Sequence, residues 1–215
     1  MSVRIGVDTG GTFTDVVLYD AAANAVYTTK TPSTPGAFDE GVLNGIDKIL
    51  AETGVDPARV SYLSHGTTVG TNAVLEGEFP DLGLVTNEGL RDVLEIGDQT
   101  RPSLYDLQAE TPPSLVDRRH RYGVPGRIGA DGAVVDELDE AAVRAAARDL
   151  AAADVDSVVV SLLFSYVTDD HERRIGELIE SETDLDYALS SAVYPETREY
   201  DRTVTTVLNE AVKVT

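Results

Sequence analysis

The sequence contains no cysteine, so it can form no disulfide and carries no thiolate that could act as a nucleophile or metal ligand. No apolar run approaches the ~18 residues that a membrane-spanning helix needs. Residues 1–4 lead directly into an alternating apolar pattern, without the charged and apolar regions of a targeting segment. These absences predict a cytoplasmic protein that does not act at a membrane.

Lysine is scarce, occurring only as Lys30, Lys48 and Lys213, while 38 acidic residues outnumber 17 basic ones. The formal net charge of −21 argues against a nucleic-acid partner, whose phosphate backbone this surface would repel. An acidic excess with little lysine is also typical of proteins adapted to high salt, where ions screen the self-repulsion. The plainer alternative is an ordinary acidic protein.

Two familiar catalytic motifs are missing. The chain has no Gly-x-x-x-x-Gly-Lys-Ser/Thr loop for nucleotide phosphates and no Gly-x-Ser-x-Gly nucleophile turn. Its three histidines, His65, His120 and His171, do not have the spacing of a zinc site. Any phosphate or hydrolytic chemistry must therefore use another arrangement of residues.

The first 19 residues read as a hairpin. Val3, Ile5 and Val7 alternate with smaller or polar residues, and an apolar pattern resumes after Gly10 and Gly11. Alternation of this kind on both sides of a glycine turn predicts two antiparallel strands.

The tip of this hairpin is dense in polar groups. It combines hydroxyls, glycines and carboxylates: Thr9, Thr12, Thr14, Gly10, Gly11, Asp8 and Asp15. Glycines let backbone N–H groups approach a ligand closely, which suits a phosphate. Carboxylates beside a phosphate indicate Mg²⁺ or an oriented water, because bare anions would repel each other. The structural alternative is a glycine turn with solvated threonines.

A second turn has a similar character. A strand over residues 60–65 runs into Gly66, Thr67 and Thr68, and a helix begins near Val69. Small residues between a strand and a helix N-terminus are typical of anion sites, because free N–H groups and the helix dipole favour negative charge. His65 at the strand end is either part of this site or a hydrogen-bonded structural residue.

Residues 8–15 resemble the first phosphate-binding motif of the hydantoinase A / oxoprolinase family. The resemblance continues in order through residues 65–73, 89–97, 101–107, 171–174 and 198–202. That family includes ATP-dependent hydantoinases, oxoprolinases and the related subunit of acetone carboxylase. Its N-terminal domain is similar to the actin, hexokinase and Hsp70 type of ATPase. The resemblance therefore implies an α/β fold and a nucleotide-dependent reaction.

Periodicity gives the order of elements. A βββαβαβα order predicts a ribonuclease-H-like domain with a mixed sheet over residues 1–97, followed by a smaller α/β subdomain over residues 98–215. Prolines and charged residues after Gly97 mark the change. At 215 residues the chain is shorter than the enzymes it resembles. We expect it to be an N-terminal fragment that stops before the second ATPase lobe.

The resemblance implies the N-terminal portion of an ATP-dependent cyclic-amide hydrolase, which phosphorylates the ring amide before hydrolysis. It also implies ATP and Mg²⁺ as cofactors, and as partners the rest of a hydantoinase A chain and a hydantoinase B-type subunit. The implied roles are catalysis by Asp8, Asp15 and His65, metal binding by Asp8 and Asp15, ATP binding by Thr9, Gly10, Gly11, Thr12, Thr14, Gly66, Thr67 and Thr68, and substrate binding by Asn72 and Arg101.

Two other functions stay open at this point. An acetone-carboxylase-type subunit would use the same ATP chemistry on a ketone or bicarbonate. A non-catalytic nucleotide-binding module would share the fold, since a fold does not fix a function.

Overall fold

The computed structural model describes residues 2–34, 37–77, 79–100, 103–106, 108–109 and 114–214. The chain divides into two compact units, Met1–Gly77 and Glu78–Thr215. Each unit contains its own β-sheet with helices packed on it, so the predicted α/β class with a mixed sheet is confirmed. No helix in the described part of the chain is long and apolar enough to cross a bilayer.

The first unit is built on a four-stranded mixed sheet. Its elements are β1 (Val3–Thr9), β2 (Phe13–Asp20), β3 (Ala25–Pro32), α1 (Phe38–Thr53), β4 (Val60–Thr67) and α2 (Val69–Glu76). The strand order is β3-β2-β1-β4. The first three strands form an antiparallel meander, and β4 lies parallel to β1. The predicted opening hairpin is thus the centre of this sheet.

Helix α1 covers one face of the first sheet. Alternate strand residues point toward it and form the core with residues of α1 and the loop after it: Val3, Ile5, Val7, Val16, Leu18, Ile49 and Val55. The helix lies close to β2 at Gly45, where a Cβ atom would come within 2.7 Å of the Val16 side chain. Gly54 ends α1 in the left-handed conformation, with φ 65° and its N–H donated to the Leu50 carbonyl at 2.9 Å.

The second unit is built on a parallel sheet. Its elements are β5 (Leu82–Asn87), α3 (Val93–Ile96), β6 (Arg121–Val124), β7 (Arg127–Ile128), β8 (Val134–Asp136), α4 (Glu140–Ala152), β9 (Ser157–Val160), α5 (Asp170–Glu182), β10 (Asp186–Leu189), α6 (Ser190–Val193) and α7 (Glu199–Val214). The strand order is β10-β9-β5-β6, with every pairing parallel, and β7 and β8 form a separate hairpin.

Both faces of the parallel sheet are buried. Val85, Val158 and Val160 pack with α4 and α5, whereas Leu84 and Val159 pack with α7 on the other side. A strand buried on both faces needs apolar residues at successive positions, which is why β5 and β9 read as continuous apolar runs rather than alternating ones.

A buried ionic network links three helices of the second unit. The Glu172 carboxylate in α5 accepts hydrogen bonds from the Leu162 N–H at 2.8 Å and the Ser190 hydroxyl at 2.7 Å. Arg202 in α7 donates to that same hydroxyl at 3.1 Å and to the Leu162 carbonyl at 2.6 Å. Glu172 and Arg202 are each 0% exposed. Burial lowers the pKa of Arg202, an effect that the nearby charges of Glu172 and Glu199 oppose.

Two predicted boundaries differ from the structure. The division falls after residue 77 rather than 97, because β5 pairs with β6 and β9 in the second sheet. The apolar run over residues 157–164 predicts one buried strand, but the strand ends at Val160. The chain then turns, with Phe164 at φ 57°, in the left-handed region outside the β conformation of a regular strand.

Candidate functional site

The hairpin tip between β1 and β2 presents free backbone donors. The last strand pair is Thr9 with Thr14, and the Gly10 N–H is used internally, donated to the Phe13 carbonyl at 2.9 Å. Gly11 and Thr12 are exposed, and their N–H groups have no acceptor among the described residues. The tip therefore offers two adjacent N–H groups to an anion.

The turn between β4 and α2 lies beside this tip. The Thr9 carbonyl accepts two hydrogen bonds from it, from the Thr67 hydroxyl at 3.1 Å and the Thr68 N–H at 3.0 Å. A Cβ atom on Gly10 would lie 3.7 Å from the Thr68 hydroxyl oxygen, and one on Gly11 would lie 3.7 Å from the Asn72 amide nitrogen. Both turns thus meet at one edge of the first unit, as the parallel pairing of β1 and β4 requires.

Two carboxylates lie opposite each other next to the tip. Asp8 and Asp15 are directly paired on β1 and β2, and both are exposed. Their side chains share the sheet face away from α1, because strand side chains alternate and the neighbouring Val7 is in the core. Lys30 on β3 partly balances them, with its Nζ 3.2 Å from the Asp15 carboxylate. Like charges placed this way repel, so a cation between them would stabilise the pair.

Three of the side chains predicted to take part in catalysis or ATP binding lie on the opposite face of the sheet from Asp8 and Asp15. Thr14 is 0% exposed, and its hydroxyl lies 3.0 Å from the Ser33 hydroxyl beneath the tip. Thr9 is also buried, and its hydroxyl lies 3.0 Å from His65 Nε2. His65 pairs with Val7 and so shares the α1 face of the sheet. The sheet therefore separates His65 from the two aspartates, and Thr9 and Thr14 support the tip from within.

A family model described as the hydantoinase/oxoprolinase N-terminal region matches residues 4–183. The chain belongs to this family. The resemblance read from the ordered sequence motifs is thereby confirmed, and the hairpin tip that carries the first of those motifs lies inside the matched region.

Members of the hydantoinase/oxoprolinase family match nearly the whole chain. The caprolactamase alpha subunit of Pseudomonas jessenii is 36% identical over 213 residues, covering 96% of this chain and 30% of the relative. The 5-oxoprolinase of Saccharomyces cerevisiae is 29% identical over 231 residues, covering 90% of this chain and 18% of the relative. The chain therefore spans less than a third of the length of these curated relatives.

Solved structures of the family have the same fold. Nucleotide-free acetone carboxylase, described as the ATP-dependent enzyme for acetone carboxylation, superposes with a TM-score of 0.89 at 29% identity, covering 99% of this chain and 32% of that chain. The ATP-dependent caprolactamase of P. jessenii superposes with a TM-score of 0.79 at 35% identity, covering 96% of this chain and 31% of that chain. The chain corresponds to the N-terminal region of these ATP-dependent enzymes.

The aspartate pair of this hydantoinase/oxoprolinase chain suits Mg²⁺ in donor chemistry. Within the described ranges, no group of three or more His, Cys, Asp or Glu residues is arranged to hold a metal ion by itself. Mg²⁺ commonly takes only one or two protein carboxylates and completes its shell with water and substrate phosphates. Asp8 and Asp15, paired beside two free N–H groups, fit that pattern.

The structure adds Ser33 to this site, while one predicted residue lies outside the part of the chain that it describes. Ser33, in the link between β3 and α1, donates its hydroxyl to the Gly10 carbonyl at 2.7 Å, a contact that no sequence motif indicated. Arg101, predicted to bind substrate, lies outside the described residues.

Proposed function

We propose that the full-length protein is an ATP-dependent cyclic-amide hydrolase, and that this chain supplies part of its phosphate site. The observation that carries the proposal is the pair of free N–H groups at Gly11 and Thr12, next to the opposed carboxylates of Asp8 and Asp15. The names of the relatives, caprolactamase and 5-oxoprolinase, support a ring amide as the substrate. Relatives that are named as subunits support an assembly of several chains, and in this proposal the partner chain is of the hydantoinase B type.

The residues of the tip have distinct roles in this proposal. The Gly11 and Thr12 N–H groups donate to phosphate oxygens, and the Thr67–Thr68 turn with Asn72 closes the other side. Asp8 and Asp15 hold Mg²⁺, which when bound would neutralise phosphate charge. His65 has an indirect role, through its hydrogen bond to Thr9, because it lies on the face of the sheet opposite to Asp8 and Asp15. Backbone donors fixed before the reaction are effective because they need no reorganisation when charge develops.

The proposed reaction uses ATP to activate a stable amide. The amide oxygen attacks the γ-phosphorus of ATP, so that an O–P bond forms as the bond to ADP breaks. The ring carbon then becomes electrophilic enough for water to attack. The C–N bond breaks and the ring nitrogen takes up a proton, which leaves an acyl phosphate. A second water hydrolyses this acyl phosphate to the carboxylate and inorganic phosphate. One ATP is thus consumed for each ring that is opened.

Substrate-dependent ATP hydrolysis tests this proposal. The full-length protein with its partner subunit is incubated with Mg·ATP and, in turn, 5-oxoproline, hydantoin and caprolactam. We expect one ring to release ADP and phosphate in step with the open amino acid product. Ring opening that proceeds equally well without ATP would contradict the proposal.

A second function is supported by the similarity to acetone carboxylase, whose structure superposes on 99% of this chain at 29% identity. An acetone-carboxylase-type subunit would use ATP to activate a ketone or bicarbonate instead of a cyclic amide. ADP release that requires acetone together with bicarbonate, and no cyclic amide, would favour this second function.

The 215-residue chain alone should bind Mg·ATP weakly and should not turn it over. Actin-type ATPases hold the nucleotide between two lobes, and the proposal assigns only the lobe with the first phosphate turn to this chain. Calorimetry and a phosphate-release assay on the purified chain measure both quantities. Sustained ATP hydrolysis by the chain alone would show that the second lobe is dispensable.

We also propose that the protein is adapted to high salt. With a formal charge of −21, its melting temperature should rise from low salt to molar KCl, because ions screen repulsion between surface carboxylates. Thermal melting across a KCl series measures this effect. A melting temperature that stays constant or falls would identify an ordinary acidic protein.

A further inference from the structure

Ser33 makes three hydrogen bonds to the hairpin tip, although it lies outside the predicted motif. Its hydroxyl donates to the Gly10 carbonyl at 2.7 Å, and its N–H donates to the Thr12 carbonyl at 3.0 Å. Its hydroxyl oxygen is also 3.0 Å from the Thr14 hydroxyl. Ser33 is 8% exposed and Thr14 is 0% exposed, so water competes little for these contacts.

The direction of this small network follows from counting protons. A serine hydroxyl has one proton to donate, and the Gly10 carbonyl can only accept, so the Ser33 proton is used there. The Thr14 hydroxyl must then donate to Ser33. The chain of hydrogen bonds therefore runs from Thr14 to Ser33 to the Gly10 carbonyl, and it ends at the peptide bond between Gly10 and Gly11.

That peptide bond is the one whose orientation matters for an anion. In a planar trans peptide the carbonyl and the following N–H point in opposite directions. Holding the Gly10 carbonyl toward Ser33 therefore turns the Gly11 N–H away from the core and into the open tip. Glycines on both sides of this peptide give it wide freedom to rotate, so local backbone preference alone does not select the orientation.

We propose that Ser33 is the positioning residue of the phosphate site, selecting the orientation of the Gly10–Gly11 peptide that presents the Gly11 N–H to phosphate. Thr14 acts through Ser33 and does not touch the ligand. The inference rests on the proposed function in so far as the ligand is the phosphate of Mg·ATP. It assigns to Ser33 and Thr14 a role in ligand affinity that a purely structural contact would not have.

The test compares two serine variants in the full-length protein. Ser33→Ala removes the contact to Gly10. Ser61→Ala is the matched control, because its hydroxyl makes an equivalent bond, to the Val3 carbonyl at 3.2 Å, at the opposite end of the same sheet. Equilibrium dissociation constants are measured for Mg·ATP and for adenosine, which has no phosphate, together with melting temperatures.

We expect Ser33→Ala to raise the dissociation constant for Mg·ATP about tenfold, the scale of one lost hydrogen bond, and to leave that for adenosine unchanged. Ser61→Ala should change neither constant. If Ser33→Ala does not fold, Thr14→Val, which keeps the shape and removes the donor, should raise the Mg·ATP constant about threefold.

Two results would overturn the inference in distinguishable ways. The role of Ser33 alone would be overturned if the unaltered protein binds Mg·ATP tightly and Ser33→Ala has the same dissociation constant. Where Ser33→Ala does not fold, the same dissociation constant in Thr14→Val would have this meaning. Failure of the unaltered protein to bind Mg·ATP would overturn the proposed function, and the positioning role with it.

Discussion

Replacing Asp8 by Asn in the full-length protein should lower ATP-coupled turnover by roughly 10²-fold or more, the scale seen when one preorganised electrostatic group is lost. Asn keeps the size of the side chain and removes its charge. Asp8 is exposed beside the free N–H groups of the tip and has no ion pair among the described residues. Removing its charge therefore breaks no ion pair that stabilises this part of the fold. The melting temperature should therefore stay close to that of the unaltered protein.

The control for this prediction is Asp47→Asn. Asp47 is an exposed residue of α1 in the same unit, and its replacement removes the same charge away from the tip. Turnover in that variant should be unchanged. If Asp8→Asn instead retains near-normal turnover and loses about 1 kcal/mol of stability, Asp8 stabilises the turn and does not take part in the reaction.

Replacing Arg202 by Met should destabilise the chain by about 3–5 kcal/mol, the usual cost of leaving a buried charge without its partner. The substitution removes the positive charge that balances Glu172. It also leaves the carbonyls of Leu162 and Glu196 without the guanidinium that donates to them. Urea denaturation at fixed KCl concentration, followed by circular dichroism, measures the free energy of unfolding.

The matched control is Arg173→Met, next to Glu172 in the sequence. The Arg173 side chain is 61% exposed and forms ion pairs with the exposed Asp169 and Asp170, so we expect a loss below about 1 kcal/mol. A similar loss in both variants would show that the Glu172–Arg202 network is not a stabilising feature. In addition, replacing Glu172 by Leu in the Arg202→Met background should cost less than the two single losses combined, because it removes the unpaired charge.

Local patterns were sufficient to predict the opening hairpin and the first helix. Period-2 alternation around Gly10 and Gly11 predicts β1 and β2. Apolar residues at helical spacing over residues 38–53, followed by Gly54 as a cap, predict α1 in the same way. Both features depend on neighbouring residues only. The sheet to which β5 belongs could not be read in the same way, because a continuous apolar run fits any buried strand and does not identify its partners.

The inward direction of Thr14 had a signal in the sequence. Thr14 is in phase with Val16 and Leu18, which face the core, so strand alternation places its side chain under α1 and away from the ligand. Thr9 is in phase with Ile5 and Val7 in the same way. Reading all the hydroxyls of residues 8–15 as one cluster overlooked this alternation.

Ser33 had no such signal. It lies between two prolines, in a segment with no periodicity, and it contacts Gly10 across 23 positions of sequence. A contact of this kind depends on how the link after β3 passes beneath the hairpin, which only the folded sheet determines. The supporting residues of the tip were therefore less predictable than the residues exposed on it.

The most direct test of the phosphate site is a ¹H–¹⁵N titration of the 215-residue chain with Mg·ATP in molar KCl. Weak binding still shifts the amide signals of the residues that donate to the ligand. We predict saturable shifts centred on Gly11 and Thr12, with Thr68 also affected and the amides of β9 and α7 unchanged. Saturable binding that leaves Gly11 and Thr12 unshifted would contradict the assignment of the hairpin tip as the phosphate site.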